Sequence, residues 1–179
     1  MNARAMRREL RGMQQRTHAL NAEGIRQGAA KQRLHARYRD IFVPLLRYGR
    51  PWTPAPLPKG VRRRRAKAYF LNALMLALDR PADLTYVEGY GWNGGIPLRH
   101  AWCVDTAGYA IDPTWGYHSD FKYWGIPLRL EYVRKIVSES REWGGVVDQT
   151  RMTYDGMAFC APLMAATPEE FRAPRWRHE

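Results

Sequence analysis

The sequence predicts an α+β fold: a helix packed on an antiparallel sheet, preceded by a basic helical arm. Three observations carry that expectation. An apolar helical run, from Ala68 to Leu78, precedes a series of strand-like runs instead of alternating with them. Two of those runs are joined by a tight connection, Thr106-Ala107-Gly108, which makes a hairpin. The charge is divided as well: residues 1–67 hold 18 Lys and Arg against 3 Asp and Glu, while residues 68–179 hold 11 against 14.

The arm comes first, over residues 1–50. Met6, Leu10, Met13 and Leu20 recur at helical spacing, which predicts an amphipathic helix interrupted at Gly24 and Gly28. Leu34, Tyr38, Ile41, Leu45 and Tyr48 predict a second one. Pro51, Pro54, Pro56 and Pro58 cannot continue a helix, so residues 51–67 read as an extended linker that ends in the block Arg62, Arg63, Arg64 and Arg65. The remaining residues, 68–179, read as the α+β domain.

Within that domain the helix from Ala68 is stopped by Asp79, Arg80 and Pro81. Strands are expected over Leu84–Trp92, His100–Asp105 and Tyr109–Trp115, with Asn93-Gly94-Gly95 as a turn. A hairpin through Thr106–Gly108 sets Trp102 opposite Asp112 and His100 opposite Thr114. The two-residue period then puts His100, Trp102, Val104, Ala110, Asp112 and Thr114 on one sheet face and Cys103 on the other. Leu128–Val137 reads as a helix, Gly144-Gly145 as the opening of a further strand, and Thr167-Pro168-Glu169-Glu170 as a helix start.

Composition narrows the function classes. No run of about 18 apolar residues exists, so a membrane-spanning helix and a membrane partner are not expected. The first residues lack the apolar stretch of a secretory leader, and the two cysteines, Cys103 and Cys160, are too few for a disulfide framework or a Cys-only zinc site. A cytoplasmic protein, of a bacterial or phage-infected cell, is expected. No cofactor motif is present, and His100, His118 and Asp120 lack the spacing of a metal site, so neither cofactor nor metal is expected. The net charge of +12, concentrated in residues 1–67, points to nucleic acid or an acidic protein face as partner. Arginine outnumbers lysine 24 to 5, which also fits a GC-rich genome.

One constellation carries chemistry. His100 and Asp112 fall on one face of neighbouring strands, where a carboxylate fixes the tautomer of an imidazole. An imidazole so held is a general base when a nucleophile stands on its other side.

The run from Tyr69 to Trp115 resembles the core of the transglutaminase-like, papain-fold superfamily. The resemblance rests on a small residue, Ala73, in the core helix, on Val87-Glu88-Gly89-Tyr90, on His100-Ala101-Trp102, and on Asp112-Pro113-Thr114-Trp115. It covers about a quarter of the chain, and the paired His-Ala-Trp and Asp-Pro-Thr-Trp strings are its specific part. It implies a helix-on-sheet core with His100 and Asp112 as catalytic partners. The family pattern has its cysteine nucleophile four residues before Ala73, and here that position holds Tyr69. A thiolate at a helix N-terminus is activated by the helix dipole and a neighbouring imidazole. A phenol, with an ordinary pKa of about 10, is a weaker and bulkier nucleophile. The resemblance therefore implies the fold more strongly than the amide hydrolysis or acyl transfer.

The other candidates are weighed beside it. Cys160, in the apolar run Met157–Ala161, reads as a buried thiol and only secondarily as a relocated nucleophile. Trp102, Glu88, Tyr90 and Trp115 are candidates to line a cleft, although an aromatic core or an exposed strand accounts for them as well. Arg62 to Arg65 are candidates for binding anions or nucleic acid beside the mouth of that cleft. Three readings follow: a non-catalytic binding or structural protein that has lost its nucleophile, an amide hydrolase or acyl transferase with an unconventional nucleophile, and a nonspecific nucleic-acid-binding protein acting through its arm.

Overall fold

A computed structural model describes residues 1–26, 42–141 and 144–147. Its elements in chain order are α1 (Ala3–Arg26), α2 (Phe42–Tyr48), β1 (Arg50–Ala55), α3 (Tyr69–Asp79), β2 (Leu84–Trp92), β3 (Leu98–Asp105), β4 (Tyr109–Ile111), β5 (Lys122–Leu128) and α4 (Leu130–Ser140). The α+β composition agrees with the sequence. The sheet differs from an open antiparallel one: it closes into a five-stranded barrel in the order β1-β4-β3-β2-β5.

Barrel closure depends on the segment read as a linker. Residues Arg50–Trp52 pair antiparallel with β5, and Thr53–Ala55 pair parallel with β4, so β1 joins the two ends of the sheet. Proline has a fixed φ that suits extended backbone, and it forfeits only the hydrogen bonds its missing N–H would donate. Pro51 and Pro54 thus make a strand sparse in ladder bonds rather than no strand. Trp52 between them is buried, and its indole N–H donates to the Gly125 carbonyl at 3.2 Å.

The predicted hairpin register holds, with Cys103 opposite Ile111 and Val104 opposite Ala110. The strand from Tyr109 stops at Ile111, however, four residues sooner than expected. Asp112 folds the chain instead: its Oδ1 accepts the N–H groups of Thr114 and Trp115 at 2.7 and 3.0 Å, and its carbonyl accepts from Gly116. Side-chain bonds of this kind compete with a sheet ladder and win where the partner strand has ended. Thr114 is therefore a turn residue and not the cross-strand neighbour of His100.

The two faces of the barrel wall pack differently. Val87, Trp102, Val104, Ala110 and Tyr123 point inward with Trp52 and fill the barrel. The alternate residues, Tyr86, Tyr90, Cys103 and Ile126 among them, meet the helices outside. Ala73 and Ala77 are wholly buried and let α3 approach β3 closely, so that the Cys103 thiol donates to the Ala73 carbonyl at 3.2 Å. Helix α1 joins this same outer core through Met6 and Leu10. The arm is thus packed onto the domain and not held apart from it. α1 also runs through Gly24, where an interruption was expected, and α2 is the described part of the second predicted helix. Gly28 lies outside the described residues.

Two further expectations change. Strand β5 had no counterpart in the sequence reading, and the helix placed at Leu128–Val137 begins at Leu130. Gly144 to Val147 hold no strand residue, and the residues after them that would continue the expected strand lie outside the described residues. The expected helix start at Thr167 lies outside the described residues. No helix among the described residues is long and apolar enough to cross a membrane.

Candidate functional site

Three elements meet at His100. It stands near the start of β3, opposite Gly89 of β2, and is wholly buried. Asp112 arrives from the turn after β4, and Tyr69 from the first position of α3. The imidazole Nε2 and Asp112 Oδ2 are 2.6 Å apart. A carboxylate only accepts, so Nε2 carries the proton and Nδ1 of the neutral ring is the acceptor. Tyr123, on β5, donates its hydroxyl to the same Oδ2 at 2.9 Å. With the two backbone N–H groups on Oδ1, the Asp112 carboxylate receives four donors. Burial, and next the negative charge of Asp112, push the Tyr123 phenol well above its usual range, so it stays a donor.

The space around the ring is aromatic. Trp115 stacks on His100 with centroids 3.8 Å apart and planes 13° apart, and Tyr69 stands 5.1 Å away at 54°. Glycines make room for these rings. A Cβ on Gly91 would lie 2.6 Å from Trp115, and one on Gly125 would lie 2.5 Å from Trp102. Nδ1 of His100 and Nε1 of Trp102 are buried and find no hydrogen-bond partner among the described residues. No hydrogen bond joins Tyr69 to His100 among the described residues. The structure thus brings Tyr69, His100 and Asp112 together, with a phenol at the head of α3 beside the imidazole. Cys160 lies outside the described residues.

The remaining candidates sort by burial. Trp102 is wholly buried inside the barrel, and Tyr90 is buried on its outer face, stacked on Phe42 at 5.6 Å. Both are core side chains here, not walls of an open cleft; Trp115 is half-buried. Glu88 was expected most simply as an exposed strand residue, and the structure corrects this. It is 1 % exposed, and its two carboxylate oxygens accept from the N–H groups of Val146 and Val147 at 2.6 and 2.9 Å and from the Tyr86 hydroxyl at 2.8 Å. Burial raises its pKa, outweighing these donors, which pull the other way. Glu88 fastens the turn at Val146 to the outside of the barrel.

The arginine block runs alongside the Asp112 turn. The Arg64 N–H donates to the Pro113 carbonyl at 2.7 Å, and the Arg63 guanidinium donates to the Thr114 carbonyl at 3.2 Å. Arg64 also pairs with Asp79 at 2.7 Å. Two of the four guanidiniums are therefore engaged within the chain, while Arg62 and Arg65 are exposed. Arg62, Arg63 and Arg64 line a groove of about 510 Å³ with Lys59 and Arg80. His118 and Asp120 form a separate exposed pair, 3.7 Å apart.

Two supporting residues escaped the sequence reading. Asn72 donates to Thr114 Oγ1 at 2.9 Å and to the Arg65 carbonyl at 2.7 Å, tying the helix, the turn and the arginine segment together. A signal existed: Asn72 is the one amide in an otherwise apolar helical run, and buried polar residues are informative. Tyr123 had none, because its bond to Asp112 follows from the pairing of β5. Comparison with known proteins adds no relative: no family model, no curated protein and no solved structure matches the chain.

Proposed function

We propose that this chain is a non-catalytic binding or structural protein on a transglutaminase-like scaffold that has lost its nucleophile. The observation that carries the reading is the phenol of Tyr69 at the head of α3, 5.1 Å from the His100 ring, beside a fully engaged Asp112. A general base works only within hydrogen-bond reach of the proton it takes. Nδ1 of His100 has no partner among the described residues, and the ring is buried under Trp115. On this reading the His100–Asp112 pair holds the β4 turn, β5 and the barrel interior in register. The protein acts through its surface.

The test is a turnover assay of the purified chain on a panel of peptide amides, and on a glutamine peptide with a primary amine. The wild type is expected to stay at the uncatalysed background. A Tyr69→Cys variant is expected to alkylate with iodoacetamide below pH 7 faster than a free thiol, because His100 then has a thiol to deprotonate. Wild-type turnover that disappears in a folded His100→Ala variant would instead establish the amide hydrolase or acyl transferase reading.

A further inference from the structure

The charge of the arm takes a definite shape once α1 is placed. At 100° per residue, Met6, Leu10 and Met13 cluster on one side of the helix, and Arg4, Arg8 and Arg11 on the opposite side, about 160° away. The apolar side is occupied: Met6 and Leu10 are buried in the outer core. Polar bonds fasten the two flanks between these sides. The Arg7 guanidinium donates to the Leu46 carbonyl at 2.6 Å, and the Trp92 indole donates to Glu9 at 2.8 Å. Asn2 caps the helix by accepting the Ala5 N–H at 3.0 Å. The arginine side is therefore displayed by a helix that cannot roll.

Arg4, Arg8 and Arg11 are exposed. They line, with Asn2, Ala5 and Arg7, a groove of about 690 Å³. No carboxylate of the described residues pairs with these three arginines. Glu9 is the sole acid among the first 20 residues, and it is turned to Trp92. We infer that this face of α1 binds the phosphodiester backbone of duplex nucleic acid, without regard to base sequence. The three guanidiniums span about 10 Å of helix, at 1.5 Å per residue. One strand of a duplex presents about three phosphates over that distance. Guanidinium forks suit phosphate oxygens, which they bind in pairs. A membrane surface fits less well, because an interfacial helix must bury an apolar face in lipid and α1 has already committed its own. The inference is independent of the chemistry at His100.

Fluorescence anisotropy of the full chain with a labelled 24-base-pair DNA duplex tests it. With three phosphates neutralised, the affinity is expected to fall about forty-fold between 50 and 200 mM salt, from a log–log slope of about −0.9 per phosphate. The triple variant Arg4→Ala, Arg8→Ala, Arg11→Ala is expected to lose that slope, and the corresponding triple to Lys to retain it. Loss of the two exposed cations Arg134 and Lys135 on α4, by substitution with Ala, is expected to change the slope little. Absence of salt-dependent binding to the duplex would overturn the inference. So would equal slopes for the α1 triple-Ala variant and wild type, or binding to phosphatidylserine vesicles in place of the duplex.

Discussion

Removing the Asp112 carboxylate is expected to cost more than any other single truncation at the His100 site. Asp112→Ala strips the acceptor from four buried or half-buried donors: the His100 Nε2–H, the Tyr123 hydroxyl and the N–H groups of Thr114 and Trp115. Each buried donor left without a partner costs about 1–3 kcal/mol, and water entering the vacated space relieves part of the sum. The net loss is expected at about 3–5 kcal/mol, from several buried donors losing a charged acceptor at once. Asp112→Asn is expected to be gentler, at about 1–2 kcal/mol. Its side-chain oxygen keeps both backbone donors, and its amide donates to the Tyr123 oxygen and to His100 Nε2. The His100 proton must then move to Nδ1, which has no partner among the described residues to lose. Urea unfolding followed by tryptophan fluorescence measures both differences, provided the slopes with denaturant agree. Nitrogen-15 shifts of the imidazole report the tautomer. An Asp112→Ala loss under about 1 kcal/mol, or an Asn variant as damaged as the Ala one, would refute the assignment of Asp112 as the organising acceptor.

Other expectations follow from the same contacts. Glu88 has a raised pKa in the folded state, so between its unfolded and folded values the native chain holds the extra proton; stability from this group is present at low pH and falls as pH rises through that window. Glu88→Gln is expected to flatten that part of a stability-against-pH curve, and an unchanged curve would argue against the buried carboxylate. Gly91→Ala would push a Cβ to within 2.6 Å of Trp115, so a loss of about 1–3 kcal/mol and a disturbed near-ultraviolet signal from the His100–Trp115 stack are expected. The Cys103 thiol is wholly buried, bonded to the Ala73 carbonyl and pushed upward in pKa by burial, then by Asp112. In a Cys160→Ser background it is expected to ignore Ellman's reagent at pH 8 until the chain unfolds.

How legible the site was depended on whether a tight turn set the register between the elements that build it. His100, Asp112 and the face they share could be placed from one hairpin, because Thr106-Ala107-Gly108 fixes the register and the two-residue period does the rest. Tyr69 came from the resemblance, and it stands beside His100 because α3 lies against β3. Tyr123 was invisible for the opposite reason. Its partner Asp112 directly follows β4, a loop separates that turn from β5, and β5 reaches it only by pairing with β2 and β1. Glu88 was misjudged on the same ground: an acidic residue mid-strand is ordinarily exposed, and only the return of the chain at Val146 supplies the donors that bury it.

The sequence by itself determined the core helix, the strand Leu84–Trp92, the hairpin and its register, the basic first third and the tyrosine at the head of the core helix. Each follows from periodicity, turn chemistry or residue identity within a short window. Tertiary structure decided that the Pro-rich stretch becomes the closing strand, that the arm packs into the core, and that Asp112 turns the chain where a strand was expected. It also decided which arginines face outward. The physical reason is common to all four. A strand needs a neighbour to satisfy its backbone, and a helix face needs a surface to cover it. For Arg50–Ala55 and for Met6 and Leu10, those partners lie far away in the chain and meet only when the barrel has closed.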